Sequence, residues 1–433
     1  VSAGLRRALP DVPRARYTVF CGTAGGAEIR AALDAVLSGD LHDERVVRDY
    51  EADLAARCGR RHAITFGAGR MAHWAALRAA GLPEGGEVLV PAFTCVAVAN
   101  AILYAGLRPR WVDVDPVTFN LDPKAAADAL SGNTVAVHMQ HTFGVSADVN
   151  GLRALADQHG LLLVEDAAHS LGAGHEGRPH GSLGDVSFVS TDRTKVIGTH
   201  LGGAALTDDD GMASRLAALQ AEAPALRRGL ARRLALSYLE EAVLFHPGLL
   251  WLGRPVVGAL RRLGLHRVLS DEDRAERPHD LPYGWPHRLP SGQARIGRLQ
   301  LARLDEQLAH RRTIARMVDG HVRHYGARLG ETFDHQAWLR ASFLVRDRAA
   351  FEARLASRFQ LGTWFTEPIF GRPQDTEAVG FHPGSCPVAE HAAEHVVNLP
   401  THPRVPLHAI EAVFAEHGGA IARDLLPAGG RSA

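Results

Sequence analysis

Between about residues 60 and 207 the chain alternates short apolar runs with stretches whose apolar positions recur every three to four residues. The runs "HAITF", "EVLVPAF", "PRWVDVD", "TVAVHMQ", "LLLVEDA", "DVSFVS" and "GGAALTD" read as strands, short and rich in β-branched residues. Arg70 to Gly81, "VAVANAILYAG" and "VNGLRALADQHG" carry the helical period and fall between several of them. Nearly continuous apolar strands separated by helices predict an α/β fold, a largely parallel sheet covered on both faces. Ligands of such sheets are met at the carboxyl ends of the strands, where the loops lie.

From about 208 to 280 the pattern is helical only, apolar and studded with arginine. Pro247 and Pro255 are expected to break it, so neither half is long enough to span a bilayer. Two readings stay open for this insert. The favoured one packs it on the sheet or on a partner subunit, with membrane contact not expected; the other lays a basic amphipathic helix on a membrane surface. "RLQLARLDEQLAHRRTIARMVDGHV" predicts one long amphipathic helix leading into a C-terminal α+β domain. The division expected is a large domain over 17–290, with the helical insert at about 210–280, and a small one over 291–427.

Composition narrows the class. Hydrophobic residues make up 46% and charged residues 22% of 433, as in an ordinary globular chain with ample core. A formal net charge of zero gives no reason to expect nucleic acid as partner. Cys21, Cys58, Cys95 and Cys386 lie far apart without a CxxC, so neither a disulfide framework nor a metal site is expected. The first residues hold no continuous apolar run of signal-peptide type, so a cytoplasmic location is expected.

One count changes the picture. Of 48 basic residues only Lys124 and Lys195 are lysines. Arginine stays protonated, whereas an amine can lose its proton and form a Schiff base. Lys124, in "DPKAAADAL", reads as an exposed residue of a helix's first turn; Lys195, in "STDRTKVIGTHLGG", has no such reading.

Five segments near strand ends carry candidate chemistry. "TFGAGRMA" puts Gly69, Arg70 and Met71 where a strand opens into a helix, a place that suits a phosphate. As a dinucleotide fingerprint it lacks the acidic residue wanted at the end of the next strand. "LLLVEDAAH" ends a buried strand in Asp166, with His169 three residues on. A carboxylate there is costly unless a cation or donors face it; a plain turn cap is the bland alternative. Ser190 precedes Lys195 by five residues and can donate to a phosphate. "VHMQHTFG" offers His138, Gln140 and His141, although with 24 histidines any single one is more often structural. Cys95, in "PAFTCVAVAN", reads by default as buried and inert. An amine, a strand-end carboxylate and a phosphate cradle together suggest pyridoxal 5'-phosphate.

At this point the chain resembles the DegT/DnrJ/EryC1/StrS sugar aminotransferases, pyridoxal-phosphate enzymes of fold type I. The matching stretches are "PAFTCVAVANAILYAGLRPRWVDVDPVTFNLDP", "VEDAAHSLGAGHEGRPHGSLGD", "TKVIGTHLGGAAL", "SGQARIGRLQLARLDE" and "CPVAEHAAEHVVNLPTHP". The resemblance implies a mixed, mostly parallel seven-stranded sheet and a small C-terminal α+β domain. It implies that Lys195 forms the internal aldimine and shuttles the proton, and that Asp166 partners the pyridinium. His169 then touches the ring, and Ser190, Gly69 and Arg70 hold the phosphate, with Met71 and Cys95 lining the site. It also implies a homodimer with active sites at the interface, a small-molecule amino donor and a keto-sugar nucleotide or related keto acceptor. Gln140, His141 and Trp364 are the candidates for substrate contact. The chain departs from the family pattern where Cys95 stands for the ring-stacking aromatic, Arg70 for the usual Thr and Pro286 for a partner-subunit Asn. Val196 follows the lysine in place of Asn, and "HLGG" replaces "GDGG". Transamination leads; elimination, replacement or carbon–carbon bond formation on an amino acid through the same quinonoid intermediate is the alternative. A cofactor-bound regulatory protein and a nicotinamide dehydrogenase rank below both.

Overall fold

The computed structural model describes residues 15–264, 285–371 and 376–427. Each apolar run of the first half forms a strand: β1 His62–Phe66, β2 Glu87–Pro91, β3 Arg108–Val112, β4 Thr134–Gln140, β5 Leu162–Asp166, β6 Val186–Ser190 and β7 Gly203–Thr207. They make one seven-stranded sheet in the order β3-β2-β4-β5-β6-β7-β1. Only β7 runs antiparallel to its neighbours. Every other pairing is parallel.

The helices of this half are α1 Gly26–Ser38, α2 Glu44–Arg57, α3 Gly69–Ala80, α4 Val96–Tyr104, α5 Pro123–Asp128, α6 Val149–His159 and α7 Asp210–Glu222. Asp43, Asp148 and Asp209 start α2, α6 and α7 by accepting first-turn amides on their side chains. Strand alternation splits the core in two. Val88, Val90, Ala136 and Val164 face the cluster under α3 and α4, whereas Leu89, Val137, Met139 and Leu163 face α6. Each such Val, Leu or Met side chain, wholly buried, contributes about 1.5–3 kcal/mol.

Two helical expectations are corrected. Pro247 does fall between helices, α8 Arg228–Leu244 and α9 Leu250–Arg262, but Pro255 lies inside α9 on its exposed side. α8 packs on α1 rather than on the sheet, with Ala32, Tyr238, Ala242 and Ile296 buried between them. Residues 265–280 of the predicted insert lie outside the described residues. The single long helix expected near 298–322 is two, α10 Ser291–Leu301 and α11 Leu304–Val322. No Pro or Gly marks the break. α10 packs against α1 and α2, and the Arg303 guanidinium at the bend binds Glu28 of α1, so tertiary contacts turn the chain there.

α11 enters the C-terminal part, where β8 Arg340–Leu344 and β9 Val396–Pro400 pair antiparallel. Phe343, Phe351, Val397, Leu399, Ile410 and Val413 form its core. Among the described residues no helix is long and apolar enough to cross a membrane.

Candidate active site

The site begins where β4, β5 and β6 end side by side. Asp166 closes β5, in register with Gln140 on one neighbour and Phe188 on the other, and is 6% exposed. One carboxylate oxygen accepts the Ala168 amide at 2.9 Å, and the other lies 3.3 Å from His138 Nε2. Burial alone would raise its pKa. His138, by hydrogen bonding and charge, and the Ala168 amide outweigh burial and hold the carboxyl well below its ordinary range. A fixed negative charge therefore stands at the strand end. His73 of α3 continues the line, its ring 4.9 Å from that of His138 and stacked on Phe188 at 4.5 Å.

His169 lies in the turn after β5. Its Nδ1 accepts the Phe143 amide at 3.2 Å. Burial, then the Lys195 charge, push its pKa well down, so the ring is neutral and its proton sits on Nε2. The indole of Trp364, from the C-terminal part, stacks on this imidazole at 5.4 Å.

A cradle forms at the start of α3. A Cβ added at Gly69 would stand 2.5 Å from Ser190 Cβ and 2.8 Å from its Oγ. One added at Gly203 would meet Gly69 Cα at 2.4 Å. Two glycines thus let the ends of β6, β7 and α3 close to backbone contact, with the Ser190 hydroxyl beside first-turn amides that helix geometry leaves unpaired. The Met71 amide is spent on Ala68 at 3.1 Å and its side chain is in the core, so Met71 does not join the cradle. Arg70 is half-buried and lies close enough to His287 for its charge to help burial lower that imidazole's pKa. The His287 ring covers Gly67.

The loop after β6 presents Lys195, whose Nζ lies 4.5 Å from the Trp364 ring centre. Burial pulls the amine below its ordinary value, against the charges of Asp192 and Asp166. The loop is held from three sides. Asp192 accepts the Thr194 hydroxyl at 2.7 Å, and its carbonyl accepts the Lys195 amide at 2.9 Å. Gln300 of α10 clamps Gly198, taking its amide and giving to its carbonyl, both at 2.8 Å. Arg193 binds Glu241 of α8, a wholly buried carboxylate that also meets His200 Nδ1 and Cys21 Sγ, each at 3.4 Å. The helical insert thereby braces the lysine loop.

Of two residues expected at the substrate, Gln140 shares the face of Asp166 but has its amide engaged, and His141 lies on the opposite face. Gln140 gives its amide to the Phe93 carbonyl at 3.1 Å and Thr142 Oγ1 at 2.8 Å and accepts Thr94 Oγ1 at 2.5 Å. It clamps two loops and has no hydrogen left to offer. His141 Nε2 lies 3.2 Å from Glu165, and its Nδ1 accepts the Ala147 amide. Glu165 and Asp166 are consecutive in a strand and point to opposite faces, so His141 belongs to the face away from the site. Cys95 is also corrected: it is half-buried at the start of α4. The other three cysteines are buried.

Sequence reasoning missed Gln300, Glu241 and Arg340. The Arg340 side chain is buried, donates to the Leu339 and Thr194 carbonyls and lies 5.8 Å from the Trp364 ring centre. All three are far from Lys195 in sequence and carry no local motif. His138 had a usable signal, since it shares the strand face of Gln140 and hence that of Asp166.

The described residues fit pyridoxal 5'-phosphate. Lys195 could meet its aldehyde, Asp166 its ring nitrogen, His169 the ring edge, and Gly69, Arg70 and Ser190 its phosphate. The model of the DegT/DnrJ/EryC1/StrS aminotransferase family matches residues 23–243 and 252–416. GDP-perosamine synthase of Caulobacter vibrioides is 38% identical over 178 residues, 41% of this chain and 48% of that protein. The pleiotropic regulatory protein of Geobacillus stearothermophilus is 40% identical over 43% of this chain and 51% of its own length, so the chain spans about half the length of these curated relatives. The erythromycin biosynthesis sensory transduction protein EryC1 of Saccharopolyspora erythraea matches over more, 29% identical across 84% of this chain and 87% of that one. Among solved structures, the aminotransferase TlmJ of Streptoalloteichus hindustanus superposes with a TM-score of 0.69 at 26% identity, covering 94% of this chain and 98% of that one. The chain belongs to the DegT/DnrJ/EryC1/StrS aminotransferase family.

Proposed function

We propose that the chain is a pyridoxal-phosphate-dependent aminotransferase that takes the amino group of a small donor to a keto-sugar nucleotide or related keto metabolite in a biosynthetic pathway. The observation that carries it is the meeting of a desolvated amine, Lys195, with a buried ionised carboxylate, Asp166, beside a two-glycine cradle at Ser190. A sugar-nucleotide acceptor is supported by relatives named for such chemistry: GDP-perosamine synthase and the UDP-2-acetamido-2-deoxy-3-oxo-D-glucuronate aminotransferase of Pseudomonas aeruginosa. In this reading a large cofactor-bearing domain and a smaller C-terminal one enclose the site, and two copies assemble in the cytoplasm with the site at their interface.

The bound cofactor supplies an electron sink for the substrate Cα. The residues do the rest. Gly69, Arg70 and Ser190 anchor the phosphate and so fix the ring. Asp166, kept ionised by His138, accepts the ring-nitrogen hydrogen bond and holds that proton in place. His169 donates from Nε2 at the ring edge, oriented by the Phe143 amide on Nδ1. Lys195 Nζ, its basicity lowered by burial, takes a proton from the substrate carbon and returns it, while Trp364 covers the amine and keeps water out.

The test is direct. Borohydride reduction of the loaded protein followed by peptide mapping is expected to find the cofactor on Lys195. L-Glutamate or L-glutamine is expected to release its 2-oxo acid at one equivalent per site before any acceptor is added. A protein that binds the cofactor yet yields no oxo acid from any amino donor would refute the transaminase reading. Release of a leaving group from the donor would move it to elimination or replacement.

A further inference from the structure

Among the described residues eight large hydrophobics stand exposed, and five of them fall between positions 243 and 263: Val243, Leu249, Trp251, Leu252 and Leu263. Trp251 is 62% and Leu263 71% exposed. They occupy the end of α8 and the outer side of α9. The inner side of α9 is satisfied, since Leu250 and Val257 pack with Phe245 and Ala15. The helix is therefore apolar on the side that is buried and on the side that is bare. An isolated exposed leucine needs no explanation, but a contiguous patch on one short segment does.

Charge says what covers it. Residues 223–264 hold seven arginines against two acids, Glu240 and Glu241, in a chain of zero formal net charge. Neither acid balances the outer surface. Glu240 pairs with Arg233 at 3.0 Å, and Glu241 is wholly buried on Arg193 and His200. Arg227, Arg228, Arg232 and Arg262 are exposed, and among the described residues none of them is ion-paired. A bare apolar face on a segment with unbalanced arginine fits an anionic lipid surface: aliphatic and indole side chains enter the boundary between headgroups and acyl chains, and guanidinium groups meet the headgroups. A second copy of the chain fits less well, because a two-fold contact would set this positive segment against itself. α9, 13 residues long, lies on such a surface and does not cross it.

We propose that α9 and the arginines of the insert dock the protein on the surface of an anionic bilayer, with Trp251, Leu252 and Leu263 inserted. The test uses the full chain loaded with cofactor and flotation with vesicles, either phosphatidylcholine alone or phosphatidylcholine with about one-third phosphatidylglycerol. The protein is expected to float with the anionic vesicles and not with the neutral ones, and to be released by high salt. The double variants Trp251→Ser/Leu252→Ser and Arg228→Glu/Arg262→Glu are each expected to cut the vesicle-bound fraction at least about tenfold, with the cofactor absorbance unchanged. Wild-type protein that stays unbound to both vesicles overturns the proposal, as does flotation equal to wild type in both variants. Failure of wild type to float, with Trp251→Ser/Leu252→Ser lowering the oligomeric state by analytical ultracentrifugation, assigns the face to a second copy instead. Should the serine variant lose its cofactor absorbance, the arginine variant and the salt dependence decide.

Discussion

Replacing Gly69 by alanine tests the cradle most sharply, because two effects of opposite sign meet there. Gly69 is the first residue of α3, and alanine is the better helix former by about 1 kcal/mol. Against this, the new methyl would stand 2.5 Å from Ser190 Cβ, 2.8 Å from its Oγ and 3.1 Å from its Cα, so backbone as well as side chain must move. Overpacking of this kind costs about 1–3 kcal/mol. The strand end and the helix start would part where the phosphate is held, so the penalty falls on cofactor affinity. A loss of about 2 kcal/mol corresponds to roughly 30-fold weaker binding. Gly26→Ala is the matched control: Gly26 is also the first residue of a helix, and a Cβ there meets nothing within 4 Å. Spectroscopic titration of the cofactor-free proteins with pyridoxal 5'-phosphate is expected to show weakened binding in Gly69→Ala alone. Wild-type affinity in Gly69→Ala would place the phosphate somewhere else.

Glu241→Gln keeps the volume and removes the charge that Arg193, Arg261 and His200 share. Leaving Arg193 under-compensated is expected to cost about 3–5 kcal/mol in urea denaturation; an unchanged midpoint would show that the insert does not brace the lysine loop. The Asp166 carboxyl titrates lower in the folded chain than its unfolded value near 3.9, so folding favours its ionised form. Its stabilisation is complete above about pH 4 and is lost as the pH falls through the folded value. The stability gap between wild type and Asp166→Asn is therefore expected to narrow on acidification, and a gap that widens would contradict the assignment. His141→Ala removes one partner of buried Glu165, which keeps the Gly181, Leu183 and Gly184 amides. A loss of about 1–3 kcal/mol in thermal stability with cofactor affinity unchanged is expected. A stable variant that no longer binds cofactor would return His141 to the site.

Most of the sheet was legible because burial on both faces writes the strands as apolar runs. "HAITF" and "TVAVHMQ" are strands from end to end. Lys195 stood out by composition and Asp166 by its place at the end of such a run. Gln140 and His141 misled, because adjacent residues at a strand end look alike as text while the pleat sends them to different partners. The bend between α10 and α11 and the persistence of α9 through Pro255 had no reliable local mark.

The sequence by itself determined the elements, the amine, the strand-end carboxylate and the glycines that admit a phosphate, since each follows from local chemistry and short-range periodicity. Only the tertiary structure decided what surrounds them. It set His138 against Asp166, brought Gln300 and Glu241 from distant helices to hold the lysine loop, and laid Trp364 over the amine. It also decided that α9 buries one apolar side and leaves the other open. These contacts join residues up to 169 positions apart (Lys195 and Trp364), and their pairing depends on how helices and strands pack, which no local pattern records.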